Sequence, residues 1–228
     1  METSRAAFFD VDETLITVKS MFDFRRHWLA AHGDDGSAFA AEWAETRARA
    51  EAGVDRSEIN RAYYRRFAGV TRAELFDAGR AWYEEYRRRS DAFVAATVEA
   101  AAEHRAAGHA VVLVSGSFAG ILGPLGEEIG ARRVLCTEPL TDAGGVLTGE
   151  VLRPMIGPNK ALGVKETMAE LGVRPEDCFA YGDHASDLEM LSLVGSPRVV
   201  GRADPVLAEH AARLGWPVLS VAASLAAA

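Results

Sequence analysis

Apolar residues change their rhythm twice along the chain. Ala6-Ala7-Phe8-Phe9 is a short unbroken apolar run that stops at two carboxylates one residue apart, Asp10 and Asp12, with Thr14 following. A run of that length and make-up predicts a strand buried on both faces. From Leu15 to about Ala107 the spacing turns helical, rich in Ala, Glu and Arg, and predicts helices near 21–32, 38–51, 57–68, 72–89 and 91–107. Their breaks are written in turn chemistry. Gly33 to Gly36 is followed by Ser37 as an expected cap, Gly53 by Asp55 or Ser57, and Gly69 by Thr71 and Glu74 at capping-box spacing. Aromatic residues concentrate in these helices, among them Phe22, Trp28, Trp43, Tyr63, Tyr64, Phe67, Trp82 and Tyr86. At helical spacing most are expected to pack between helices, with a few left to line a pocket.

After residue 108 the rhythm becomes that of strands alternating with helices. Ala110–Val114 is a β-branched apolar run ending in Ser115-Gly116-Ser117, and Arg133–Cys136 is a second strand. The alternating stretch from Thr137 to Val151 around Asp142-Ala-Gly-Gly145 predicts a hairpin. A helix over 158–171 leads to a strand at Cys178–Tyr181, then Gly182-Asp183 and a helix over 185–194. Short strands near Pro197–Val200 and Val218–Leu219 flank a last helix at 205–214, and the alanine-rich end from Val221 to Ala228 is expected to fray. This order predicts an α/β class: a doubly wound, Rossmann-like parallel sheet, residues 1–15 and 108–228, with a helical cap, residues 16–107, inserted after the first strand. Ligands of such sheets sit beyond the carboxyl ends of the strands. Asp10, Asp12, Ser115 and Asp183 all stand at such ends.

Charge and composition narrow the chemistry. A formal net charge of -8 over 228 residues disfavours broad nucleic-acid binding, which needs a basic face. Arg65-Arg66 and Arg87-Arg88-Arg89 read as solvated helix faces among acidic neighbours. Cys136 and Cys178 have no metal-type spacing and read as reduced buried thiols. The apolar run near the start is too short for a signal-peptide core, and no segment reaches the ~20 apolar residues of a membrane span. A cytoplasmic protein without membrane contact is the expectation. Whether it is a monomer or a homodimer is not readable.

Paired carboxylates, a Ser-Gly-Ser strand exit, a lysine at a helix start and Gly182-Asp183…Asp187 have one explanation in common, the anchoring of a phosphoryl group. Ser115 can donate its hydroxyl, Gly116 lets backbone N–H groups approach phosphate oxygens, and Lys160 supplies positive charge. A hard cation, Mg²⁺ by its preference for oxygen, would neutralise the carboxylates. Lys165 is the competing lysine, but it lies about 140° around the helix from Lys160 and cannot share its site.

These residues resemble the four motifs of the haloacid dehalogenase (HAD) superfamily: Asp10-Val11-Asp12-Glu13-Thr14, Ser115-Gly116-Ser117-Phe118, Lys160, and Gly182-Asp183 with Asp187. They occur in order over residues 8 to 188, and the helical insertion is similar to the cap of the phosphoserine-phosphatase-like subgroup. The resemblance implies Asp10 as nucleophile and metal ligand. It implies Asp12 as acid/base, with its backbone carbonyl on the metal. Thr14, Ser115, Gly116 and Lys160 would act on phosphate, Asp183 as a metal ligand, and Asp187 as support for that site. His184 is expected near the site without binding metal, and Ser186 stands where relatives often carry Asn.

The implied activity is Mg²⁺-dependent hydrolysis of a small phosphorylated metabolite through an aspartyl-phosphate. A phosphotransferase or phosphomutase on the same intermediate is the alternative, and a non-catalytic binding protein is less favoured because no core residue is missing. Lys19 takes the place where phosphoserine phosphatases carry an acidic residue. It points away from an amine and toward an anionic substrate. A lysine snorkelling at the helix end would look the same.

Overall fold

A computed structural model of the chain describes residues 5–201 and 204–221. The expectation for the alanine-rich end beyond Val221 lies outside the described residues. Six parallel strands form the main sheet: β1 (Ala6–Phe9), β2 (Ala110–Ser115), β3 (Arg133–Cys136), β6 (Phe179–Gly182), β7 (Ser196–Val200) and β8 (Val218–Leu219). Between β3 and β6 in the chain, β4 (Pro139–Thr141) and β5 (Leu147–Val151) pair antiparallel as a separate hairpin. The sheet order is β3-β2-β1-β6-β7-β8. The chain therefore moves to one side of β1 and later returns to its other side, and β1 stands at the point where the strand order reverses. The crevice beyond the carboxyl ends of β1 and β6 is where a doubly wound sheet offers a ligand site.

Strand alternation divides the core into two layers. Ala7 and Phe9 of β1, with Val111 and Leu113 of β2, face helices α5 (Ala95–Ala106) and α6 (Ala119–Ile129). Ala6 and Phe8, with Ala110, Val112 and Val114, face α7 (Pro158–Leu171), α8 (Leu188–Leu191) and α9 (Pro205–Leu214). All of β1 and β2 is buried, which accounts for their unbroken apolar runs.

Four helices stand between β1 and α5: α1 (Ser20–Ala31), α2 (Ser37–Glu51), α3 (Arg56–Arg65) and α4 (Arg72–Tyr86). The chain leaves and re-enters the core side by side. Ile16 bridges Phe93, and the Val94 N–H donates to the Leu15 carbonyl at 2.9 Å. Helix α5, which the sequence groups with the insertion, lies against β2 and α6. A close crossing joins α4 to α6: a Cβ on Gly79 would stand 2.8 Å from the Gly120 carbonyl carbon. The hairpin is stitched to the insertion by the Gly69 N–H on the Leu147 carbonyl at 2.9 Å and the Arg72 N–H on the Gly145 carbonyl at 2.9 Å.

Two local expectations differ from the structure. Ser37 is the first residue of α2 rather than its cap. Gly36 takes the cap position in a left-handed conformation, and the free N–H groups of Ser37 and Ala38 go to the side chains of Asp35 and Asp34, at 3.0 Å each. The expected helix over 185–194 is a 3₁₀ turn, Ala185–Asp187, followed by the single turn of α8. The carboxylate of Asp187 turns inward and accepts from the His184 N–H at 3.2 Å, which tightens this start.

Candidate active site

Asp10 follows directly on β1, and its N–H donates to the Tyr181 carbonyl at 2.9 Å, extending the pairing with β6 by one residue. The chain then folds back on itself. The Val11 carbonyl accepts from the N–H groups of Thr14, Leu15 and Ile16 at 3.2, 2.8 and 3.1 Å. Glu13, inside that turn, has φ 60, a left-handed conformation that non-glycine residues adopt at a cost of roughly 1–2 kcal/mol. The turn carries Thr14 underneath the site, where its Oγ1 donates to Asp183 Oδ1 at 3.0 Å.

The other strand ends bring their residues to the same place. Ser115, buried at the end of β2, accepts the Ser117 N–H on its Oγ at 3.1 Å, leaving its hydroxyl proton to be given elsewhere. A Cβ on Gly116 would meet Ile156 Cδ1 at 2.5 Å, so any larger residue there would require the Ile156 side chain to shift. Its carbonyl accepts from Asn60 Nδ2 at 2.9 Å and from the Tyr64 hydroxyl at 3.0 Å, both on α3.

Pro158 stands at the first turn of α7, which suits its fixed φ and missing N–H, and Lys160 lies within that turn. Only 3% exposed, Lys160 donates to Asp10 Oδ1 at 2.5 Å and to Asp187 Oδ1 at 2.6 Å. Lys165 is exposed. Both Asp187 oxygens are thus engaged, one by Lys160 and one by the His184 N–H, whereas among the described residues the hydrogen bonds of Asp10 and Asp183 use Oδ1 alone.

One ammonium among these carboxylates leaves a surplus of buried negative charge. Burial, then the charge of Asp187, raises the Asp10 pKa well above the usual carboxylate range, with Lys160 opposing. Burial and Asp187 raise Asp183 to about 6. Asp12 is raised mainly by burial, opposed by the nearby Ser20, and its buried Oδ1 has no hydrogen-bond partner among the described residues. Burial alone would lower Lys160, but Asp10 and Asp187 outweigh it and hold the ammonium charged above its ordinary pKa. Oxygens of Asp10, Asp183 and Asp187 lie within 4.8 Å of one another. Hard oxygen donors at that spacing, with surplus charge and unused oxygens on Asp10 and Asp183, fit a divalent cation that prefers oxygen.

Above this cluster lies a cavity of about 240 Å³. Asp10, Asp12, Ser115, Gly116, Lys160 and Asp183 line its core side. Lys19 also lines it, with its ammonium 2.5 Å from Glu13 Oε2. Thr14 and Asp187 do not reach the cavity; they brace Asp183 and Lys160 from below. His184 touches no member of the cluster through its ring: Nε2 lies 2.7 Å from Arg56 Nη1 and 3.5 Å from Asp204 Oδ2, and Nδ1 faces Ser186.

The contributions of α3 were not singled out from sequence. Asn60 shares a helical stripe with Tyr63, Tyr64 and Phe67, and a single amide on an otherwise aromatic face was the available signal. Arg56 carried no such signal.

The haloacid dehalogenase-like hydrolase family model matches residues 7–192. A Streptomyces azureus protein named for inhibition of morphological differentiation is 33% identical over 94% of this chain and 77% of its own length. A Mycobacterium tuberculosis protein named a probable phosphatase is 30% identical over 94% of this chain and 75% of its own. A substrate-bound phosphoserine phosphatase structure superposes with a TM-score of 0.67 at 19% identity, covering 92% of this chain and 90% of that one. The strand order, the four clustered motifs and this match over most of the length agree: the chain belongs to the haloacid dehalogenase-like hydrolase family.

Proposed function

We propose that the chain hydrolyses a small phosphomonoester through a phosphoryl group carried on Asp10. The observation that carries this reading is the pairing of Asp10 with the buried, charged Lys160 directly beneath a cavity whose floor also holds Asp12, Ser115 and Asp183. With Lys160 holding Oδ1, a carboxylate oxygen of Asp10 attacks phosphorus. As that bond forms, the bond from phosphorus to the alcohol oxygen breaks, and Asp12 gives its proton to the leaving oxygen. Burial raises the Asp12 pKa, which favours its protonated form relative to an exposed carboxyl.

Asp12 then takes a proton from water as the water oxygen attacks phosphorus, and Asp10 leaves as a carboxylate with orthophosphate as product. Ser115 and the N–H groups around Gly116 would hold phosphate oxygens, with Lys160 balancing charge. Thr14 would act by fixing Asp183, and Asp187 by fixing Lys160 and the turn at His184. The carboxylates of Asp10 and Asp183 and the Asp12 carbonyl would hold Mg²⁺, which supplies positive charge where two carboxylates meet a phosphate. The insertion of residues 16–107 would serve as a cap through α1 to α4, with α5 covering the sheet.

The name of the M. tuberculosis relative and the likeness to a phosphoserine phosphatase support a phosphatase reading. Among the described residues no helix is long and apolar enough to cross a membrane, and both cysteines are free. Residence in the cytoplasm and independence from nucleic acid belong to the same proposal.

The test is release of orthophosphate from an aryl phosphate with added Mg²⁺. Activity is expected to vanish in Asp10→Asn and on chelation; activity that survives in Asp10→Asn removes the nucleophile from this account. Appearance of the phosphoryl group on an added alcohol instead of water would favour the phosphotransferase.

A further inference from the structure

The wall of the cavity that faces away from the carboxylates belongs to the insertion, and its chemistry differs from that of the floor. Phe22 and Met21 of α1, Trp43 of α2, and Ile59 and Tyr63 of α3 line it, with Ile156 closing the side nearest Gly116. Phe22 packs edge-on against Trp43, ring centroids 4.7 Å apart, and both side chains are only partly buried. Tyr63 has its hydroxyl committed to the Met21 carbonyl at 2.8 Å, so it offers the cavity only its ring. At about 240 Å³ the cavity has room for more than a phosphoryl group alone.

The charges of this wall are one-sided. Its cationic members are Lys19, Arg47 and Arg56, with His184 nearby on the core side; the lining acids are Asp10, Asp12 and Asp183 on the floor and Glu13. Glu13 is taken by Lys19 at 2.5 Å, and Arg47 pairs with Glu51 at 3.3 Å. Arg56 lies 2.7 Å from His184 Nε2, which Asp204 Oδ2 also approaches to 3.5 Å, and has no carboxylate within ion-pair distance of its own among the described residues. Among the described residues the wall thus keeps one cation with no carboxylate in direct ion-pair contact and no acid free to receive an ammonium.

We infer that the alcohol carried by the substrate is a flat apolar group seated against Phe22 and Trp43 and ending in an anion that Arg56 meets, rather than an amino acid. Arg56, not the neutralised Lys19, is the specificity residue. This rests on the reading of the site as a phosphomonoesterase and names its substrate class. An arginine also suits the assignment chemically, since its planar fork matches a carboxylate in two hydrogen bonds. Apolar contact with the wall provides binding, and the charge provides discrimination, because an amine there meets repulsion with no compensating acid.

The experiment measures kcat/KM for four alkyl phosphomonoesters: ethyl phosphate, benzyl phosphate, 4-carboxybenzyl phosphate and O-phosphoserine. The order expected is 4-carboxybenzyl, then benzyl, then ethyl and phosphoserine, with the ring esters about tenfold or more above the last two. Arg56→Gln is expected to shrink the carboxybenzyl-to-benzyl ratio about fivefold, and Arg56→Lys to restore part of it. Trp43→Ala is expected to shrink the benzyl-to-ethyl ratio. Each ratio is internal to one variant, so a loss of folded protein does not move it. Phosphoserine or ethyl phosphate hydrolysed as well as the ring esters, or a carboxylate preference unchanged in Arg56→Gln, overturns the inference and leaves the phosphomonoesterase standing. No phosphate from any of the four overturns both.

Discussion

Lys160 sits between two carboxylates with almost no water in reach, 2.5 Å from Asp10 and 2.6 Å from Asp187. Removing one partner from such an arrangement costs more than the pair contributes, because the remaining charges stay buried without compensation. Lys160→Met should therefore lose about 3 kcal/mol or more of stability as well as activity, read by urea denaturation. Adding Asp187→Asn to it should recover part of the stability, since one uncompensated carboxylate goes. A double variant less stable than Lys160→Met would mean that the uncompensated Asp187 charge is not what destabilises Lys160→Met. That one lysine would sit by the carboxylates was legible from its place at a helix start. That Thr14 would lie beneath Asp183 instead of facing the cavity was not, because the left-handed turn at Glu13 directs it there and nothing in a Val-Asp-Glu-Thr string announces that turn.

At the scale of elements, α3 is where the insertion grips the phosphate loop. The Gly116 carbonyl takes two donors, Asn60 and Tyr64, one helical turn apart. Losing either alone leaves the carbonyl satisfied by the other; losing both leaves it buried and unpaired, at a cost of about 1–3 kcal/mol. Asn60→Ala and Tyr64→Phe should each be mild in denaturation and in kcat/KM, and the double variant should exceed their sum. Strict additivity would mean that the two donors act on separate features. The helix containing these residues was legible from its periodicity and its aspartate cap, and Asp55 does cap it. Which residues on its face would meet the Ser-Gly-Ser loop depended on how α3 packs on the core, a contact between segments more than fifty residues apart.

For the whole molecule, the sheet carries a titration of its own, apart from the carboxylates of the site. His104 of α5 lies on Phe9, Phe179 and Tyr181, its Nε2 2.9 Å from the Tyr181 hydroxyl and its Nδ1 2.9 Å from His109. Burial first, and the neighbouring His109 second, lower its pKa to about 4. The folded protein keeps this ring neutral down to that pH, while the unfolded chain binds a proton near pH 6.5. The stability it contributes is complete above pH 6.5 and is lost as pH falls toward 4. Because the ring borders an open cavity, the loss by pH 5 should be on the order of 1 kcal/mol, smaller than the full shift would give. His104→Gln should flatten the dependence of unfolding free energy between pH 7.5 and 5. An unchanged slope would place the acid sensitivity elsewhere.

The chain's local physics determined its elements and their class by itself. Buried strands must be apolar on both faces, amphipathic helices must repeat every 3.6 residues, and turns need their glycines, so β1, β2, β3, α7 and α9 are visible in the order of residues. The motif residues are legible too, because a phosphate site needs carboxylates, a hydroxyl, a glycine and a lysine at strand ends and helix starts. Tertiary structure alone decided which of those residues face the cavity and which brace from below. It also decided that α5 leaves the other inserted helices to cover β2, and that among the described residues Lys19 has a carboxylate in direct ion-pair contact while Arg56 has none. Such outcomes depend on distances between segments far apart in the chain, and no local pattern encodes a distance.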